Sequence, residues 1–163
     1  MNKELMFSSR KSDWETPWPL FRDVDREFHF TLDVCATKGN TKVPGNYFTP
    51  GMNGLRKDWR GVCWMNPPYG HEIRDWVRKA YVESETRGAT VVCLLPARTD
   101  TRWFHHFCWN ADAILFFKGR IRFVGCDSAA PYPSCLVVFG GGFPEDTKLG
   151  KYGKIIDLRG VRL

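Results

Sequence analysis

The sequence predicts an α/β fold built on a mixed, mostly parallel sheet flanked by helices. Three observations carry that prediction. The run 61–65 reads as a short buried strand. Ile73, Trp76, Val77, Ala80 and Tyr81 then fall at the spacing of a helix packed on one face, and Gly88 is placed to stop it. Residues 89–95 form a nearly continuous apolar run, as in a strand covered on both faces. Strand, helix and strand in that order make a right-handed βαβ unit, and residues 66–72 occupy its first crossover. In open α/β sheets, ligands bind beyond the ends of such strands.

The other elements follow in chain order. Thr16 is placed to cap a helix over about 17–27, with Pro17 in the first turn and Leu20, Phe21, Val24 and Phe28 at helical spacing. A strand over 30–34 comes next. From Thr37 to Arg60 the chain carries Gly39, Pro44, Gly45, Pro50, Gly51 and Gly54 with little periodicity. A loop that long inside a compact domain is usually functional. Thr99 or Asp100 can cap a short helix reaching about Asn110, and strands are expected near 113–117, 120–124 and 134–139. Residues 1–12 and 150–163 read as flexible tails of a single domain spanning 1–163.

Composition narrows the partners. A formal net charge of +6 favours an anionic one, without choosing between nucleic acid and other polyanions. The N-terminus lacks an apolar signal core and no apolar run approaches the roughly eighteen residues of a membrane span, so a cytoplasmic protein without a membrane partner is expected. The six cysteines are scattered, with no Cys-x-x-Cys pair, and read as reduced, mostly buried thiols. His105, His106 and Cys108 match no standard zinc pattern, so no metal is expected.

Asn66-Pro67-Pro68-Tyr69, where the first strand of the βαβ unit ends, is the most informative stretch. An exocyclic amine such as adenine N6 is conjugated with its ring and is a poor nucleophile. Two hydrogen-bond acceptors that hold both N–H groups favour a more tetrahedral, reactive nitrogen. Asn66 can offer its side-chain oxygen and Pro67 its carbonyl. Each precedes a proline, which biases it toward extended backbone and stiffens the loop. Tyr69 supplies a flat face for a base. The competing reading, that Asn66 merely caps a helix with prolines in its first turn, stays open at this point. Further on, Lys118, Arg120 and Arg122 alternate with apolar residues. An extended chain would put these cations on one face, as a phosphate-facing stripe or as the charged guard of an edge strand.

Together with Asp13-Trp14-Glu15-Thr16-Pro17, Thr31-Leu32-Asp33-Val34-Cys35-Ala36, Asp58-Trp59, Leu95-Pro96-Ala97-Arg98-Thr99-Asp100, Gly119-Arg120-Ile121-Arg122-Phe123 and Leu136-Val137-Val138-Phe139, the tetrapeptide resembles the phage-type DNA N6-adenine methyltransferase family. The resemblance implies a compact Rossmann-like methyltransferase fold and S-adenosylmethionine as cofactor. It also implies DNA as partner, and a phage or prophage protein acting in a bacterial host's cytoplasm. By the same resemblance, Asn66, Pro67, Pro68 and Tyr69 are the catalytic segment, and Trp14, Thr16 and Pro17, with Asn66, approach the methionine part of the cofactor. Asp33, with Ala36 beside it, is the expected partner of the cofactor's ammonium, and Asp58 of its adenine amine. Arg98 joins Lys118, Arg120 and Arg122 as candidate DNA contacts.

The chain departs from ordinary methyltransferases in having only Cys35-Ala36-Thr37-Lys38-Gly39, not a glycine-rich loop, after the first strand. It also leaves little room for a separate recognition domain, so recognition falls to loops 37–60 and 125–133 or to a second subunit. Monomer and homodimer are both open. The rival readings are a methyltransferase acting on an RNA base or a protein glutamine amide, and a non-catalytic module that binds single-stranded nucleic acid by stacking and charge.

Overall fold

The computed structural model describes residues 13–161. The expected tail over 1–12 lies outside them. Helix α1 (Trp18–Phe28) buries Leu20, Phe21 and Val24 and ends at His29, whose left-handed backbone lets its N–H return to Asp25 O. Strand β1 (Leu32–Asp33) precedes a long loop, then come β2 (Val62–Met65), α2 (Ile73–Arg87) and β3 (Thr90–Pro96). A short helix α3 (Arg102–His106) leads to β4 (Ala113–Phe117), followed by β5 (Ser134–Phe139) and β6 (Gly153–Asp157). Helix α2 buries Ile73, Trp76, Val77 and Ala80 as the stripe predicts, and Gly88 closes it at φ 67°.

The strands form one sheet in the order β1-β2-β3-β5-β4-β6. β1, β2 and β3 are parallel, whereas β3/β5, β4/β5 and β4/β6 pair antiparallel. The mixed α/β class is as predicted, but its balance is not. β1 to β4 all share one direction, yet β5 inserts between β3 and β4 and turns most pairings antiparallel. The connections over 66–72 with α2 and over 97–112 with α3 bring the chain back in the same direction, as does the long loop between β1 and β2, whereas the connection before β5 carries no helix and β5 runs back along β4.

β3 and β5 are almost wholly buried. Trp64 pairs in register with Val92, whereas Phe139 pairs with Val91, so these two rings point to opposite faces. Phe21 of α1 meets Trp64 at 5.2 Å between ring centroids, and Tyr81 of α2 meets Phe139 at 6.2 Å. The helices therefore sandwich the sheet, each bringing its apolar stripe to one face.

Several expectations are corrected in detail. β1 is shorter than 30–34 because the loop behind it takes over its outer edge: Asp33 N–H donates to Asn46 O, and Phe48 N–H donates to Asp33 O. Residues 120–124 form no strand among the described residues. Ile121 accepts from Ala130 N–H, and Val124 donates to Glu15 O, so the segment is held by loops instead of a ladder. Residues 150–161 are no loose tail: β6 pairs with β4 along five residues. Its Lys154, Ile156 and Asp157 are exposed, and that weak pattern on an edge strand hid it from periodicity. The short helix starts after Thr101, whose hydroxyl accepts from Phe104 N–H, not after Thr99 or Asp100. The long loop is pinned by Trp59, whose backbone N–H donates to Glu83 Oε2 (2.8 Å) and whose indole N–H donates to Gly54 O (2.9 Å). Gly54 is required there, since a Cβ would sit 2.4 Å from the Val34 carbonyl oxygen.

Candidate active site

At the C-terminal ends of β1 and β2 lies a cleft of about 290 Å³, lined by residues 13–16, by Asp33 and by Cys35, Ala36, Thr37 and Lys42 from the loop after β1, and by Trp64, Asn66, Pro67 and Pro68. Asn66 is its best-defined member. Its amide nitrogen donates to the Trp14 carbonyl and to Thr16 Oγ1 (3.0 Å). A carbonyl can only accept, so the nitrogen must face Trp14, which fixes the orientation of the amide. Oδ1, the acceptor end, is enclosed and has no partner. A buried acceptor left unpaired costs about 1–3 kcal/mol, so its retention calls for a ligand donor. Asn66 is not a helix cap: α2 begins beyond it at Ile73, after Glu72.

The same bonds explain Thr16. The expected cap role falls to Pro17, which makes no side-chain bond to the helix, because the Thr16 hydroxyl is committed to Asn66. Thr16 and Trp14 are buried, Trp14 against Phe123 at 5.3 Å. Pro17 lies just outside the lining.

Asp33 is buried and anchors the loop after β1. One carboxylate oxygen accepts from Lys42 N–H (2.8 Å) and Thr41 Oγ1 (3.3 Å), the other from Cys35 N–H (3.4 Å). Burial raises its pKa to about 6, with these bonds opposing the shift. Asp33 therefore joins a local turn role to a place in the cleft wall. Ala36 is buried beside it and donates its N–H to Phe48 O. Burial, with Asp33, Asp13 and Glu72 nearby, pushes the Cys35 thiol up to about 12, which keeps it neutral.

Lys42 and Glu15 were not legible as site residues. Lys42 is buried, its ammonium 3.0 Å from Glu15 Oε1 and 4.1 Å from the centre of the Trp18 ring. A lysine in a glycine- and proline-rich loop gives no sequence signal of burial. The charged lining is thus Asp13, Glu15 and Asp33 against Lys42. A net acidic cleft in a chain of charge +6 suits a small ligand that carries positive charge. Ligand pockets begin near 300 Å³, so the space suits small ligands and not a duplex.

Six predicted residues lie elsewhere or differently. Asp58 is outside the lining; it faces solvent and pairs with Arg87 at 2.7 Å. Tyr69 is 6% exposed, its hydroxyl donating to Leu94 O (2.8 Å) and its ring against Tyr132 (5.9 Å) and Phe123 (6.4 Å). The face expected to be open for stacking is therefore covered by the segment 118–133. Lys118, Arg120 and Arg122 are exposed while Ile121 and Phe123 are buried, so the expected alternation survives without a strand. Arg98 is exposed after β3, and its charge reaches the Tyr132 hydroxyl. Among the described residues no group of His, Cys, Asp and Glu is arranged to hold a metal, and no helix is long and apolar enough to cross a membrane. All six cysteines are free thiols.

A family model described as DNA N-6-adenine-methyltransferase (Dam) matches residues 5–135, a span that contains the whole cleft. A DNA N-6-adenine-methyltransferase of Haemophilus phage HP1 is 34% identical over 168 residues, covering 98% of this chain and 96% of that protein. One of Escherichia phage T1 is 27% identical over 111 residues, covering 66% of this chain and 45% of that protein.

Proposed function

The chain belongs to the DNA N-6-adenine-methyltransferase family, and from that premise we propose how its residues carry the reaction. The protein is an adenine-specific DNA methyltransferase, with S-adenosylmethionine as its methyl donor. The observation that carries the site assignment is the unpartnered, fixed Oδ1 of Asn66 at the end of β2.

N6 inside a duplex is out of reach of a cleft this size, so the target adenine leaves the stack. Asn66 Oδ1 accepts one N6–H and the Pro67 carbonyl the other. Trp14 and Thr16 hold the Asn66 amide so that its oxygen is already aimed when the base arrives, which places the gain in orientation and preorganised electrostatics. As positive charge develops on N6, both acceptors bind it more strongly than they bind the neutral amine. No dedicated base is needed, since the methylated ammonium is acidic enough to lose its proton to water. Tyr69 stiffens the loop through Leu94 and offers its ring to the base once Phe123 yields that face.

The cofactor supplies an electrophilic methyl group when bound. Residues 13–16, Asp33 and Ala36 form the wall for it: Asp33 and Glu15 suit a cationic ligand, and Lys42 suits its carboxylate. Arg98, Lys118, Arg120 and Arg122 hold DNA phosphates near the same edge of the sheet. Because all six strands join one sheet, we read residues 1–163 as a single methyltransferase domain, and the phage relatives support action in a bacterial host's cytoplasm.

The test is mass spectrometry of nucleosides after incubating purified protein with labelled S-adenosylmethionine and separate pools of unmethylated DNA, RNA and protein. N6-methyladenine in the DNA pool, lost with Asn66→Ala, is the expected result. Label in RNA or protein instead would overturn the substrate assignment.

A further inference from the structure

Among the described residues, three of the four buried polar side-chain atoms without partners gather at one edge of the sheet. The four are Asn66 Oδ1, Tyr132 Oη, Ser134 Oγ and Trp76 Nε1. Asn66 follows β2, while Tyr132 and Ser134 lie at the start of β5, where Ser134 pairs with Pro96 at the end of β3. β5 runs against β2 and β3, so its start lies at the sheet edge where they finish. Tyr132 is tied to the same neighbourhood by its ring, which packs edge-on against Trp14 at 5.6 Å and against Tyr69 at 5.9 Å. Trp14 is the residue whose carbonyl holds the Asn66 amide, and Tyr69 closes the loop that Asn66 opens.

The chemistry of the atoms fits one ligand surface. Adenine presents N6 with two hydrogens, and on either side of it lie N1 and N7, both acceptors only. A site that spends its acceptors on N6 must therefore offer a donor next to them. Cytosine, by contrast, has an acceptor on only one side of its amine and a C–H on the other. A phenol that keeps its proton is such a donor, and burial pushes the Tyr132 hydroxyl above its ordinary pKa, so it stays protonated at neutral pH. A tyrosine hydroxyl enclosed without a partner is costly unless something arrives to use it.

We propose that Tyr132 is a base-contacting residue whose hydroxyl donates a hydrogen bond to a ring nitrogen flanking N6 of the extruded adenine. This rests on the adenine-methylation reading and adds to it the feature that reads the ring beside the amine. Asn66 and Pro67 alone recognise any exocyclic amine; Tyr132 recognises what adjoins it.

The experiment compares the unmutated enzyme and Tyr132→Phe on oligonucleotides whose target base is adenine, 1-deazaadenine or 7-deazaadenine, with cofactor binding and melting temperature measured alongside. Tyr132→Phe should lower kcat/KM on adenine about 10- to 100-fold, the factor that corresponds to leaving one buried acceptor without its hydrogen bond. One of the two deaza bases should lower the unmutated enzyme's rate by a similar factor. On that base, Tyr132→Phe should add no further loss, and its identity says whether the contact is to N1 or N7. If the variant's loss on adenine persists undiminished on both deaza bases, or if there is no loss on adenine, the proposal is overturned. The unmutated enzyme provides a check that does not depend on the variant folding: indifference to both deaza bases also overturns it. A failure of the adenine-methylation reading looks different, because the unmutated enzyme would then form no N6-methyladenine on any DNA.

Discussion

Two segments leave the same edge of the sheet, one after β2 and one after β4, and they are built on opposite plans. In residues 66–69 both polar side chains are held inside the protein. Asn66 is held by Trp14 and Thr16, Tyr69 by Leu94, and the one side-chain atom left over is an acceptor. In residues 118–133 the cations face solvent, and Arg122 bonds only locally, to the carbonyl of Asp127 (2.9 Å). The first segment is set before any substrate arrives. The second holds its apolar residues down and leaves its charges to act at a distance. The difference teaches how a small enzyme can divide its work: under the proposed function, chemistry falls to the rigid segment and substrate capture to the charged one.

That division breaks if the rigid segment proves dispensable. Asn66→Ala removes the acceptor and the group that two neighbours orient, and should reduce turnover about 10³-fold or more. Cofactor affinity, measured by calorimetry, should change little, because the cofactor wall is formed mainly by other residues. A variant that turns over within tenfold of the unmutated enzyme would remove the central assignment.

The next effect tests the carboxylate behind the cleft. With burial raising Asp33 to about 6, the group is ionised at neutral pH and becomes neutral as pH falls through that value. Only the ionised form attracts a cationic cofactor group, and bound cofactor in turn favours ionisation. Affinity should therefore be level above about pH 7 and weaken below 6 by up to about tenfold per pH unit. Asp33→Asn should weaken binding about 10- to 100-fold at pH 7.5 and flatten the profile. A flat profile in the unmutated protein would assign Asp33 to loop anchoring alone.

The sequence reveals these two segments unequally, for physical reasons. The βαβ unit is legible because α2 and β3 have opposite periodicities and long apolar patterns, and the tetrapeptide stands out because paired prolines restrict the backbone. Asp33 is legible as the end of a strand. Lys42 is not, since its burial depends on Glu15 and Trp18, which fold against it from 27 and 24 residues away. β5's insertion, and with it the antiparallel pairings, follows from how strands assort in space, which no local pattern encodes. The alternation over 118–123 is correctly read as one-sided but wrongly as a strand, because alternation reports burial of one face and says nothing of ladder partners.

The charged segment is sharpened by salt. If Lys118, Arg120 and Arg122 contact phosphates, replacing all three with Ala should reduce the slope of log affinity for DNA against log salt by up to about 3, and leave cofactor binding unchanged. An unchanged slope would return these residues to the role of a charged guard on the surface.

The smallest effect separates positioning from folding within the rigid segment. Thr16 is buried, stands before α1 and bonds only Asn66 through its side chain, so Thr16→Val removes one of two constraints on the Asn66 amide and leaves the Trp14 carbonyl in place. With one constraint remaining, the amide keeps the same nitrogen toward Trp14 but samples a wider range of tilt, and fewer of its orientations aim Oδ1 at N6. The expected outcome is a kcat lower by about 5- to 10-fold with KM for DNA nearly unchanged, the pattern of an interaction that acts in the transition state. A helix cap would behave differently, because losing one costs about 1 kcal/mol of stability whether or not substrate is present. Melting temperature and kcat measured on the same preparation distinguish the two: a drop in melting temperature with kcat intact would mean that Thr16 serves α1, and that Trp14 alone orients Asn66.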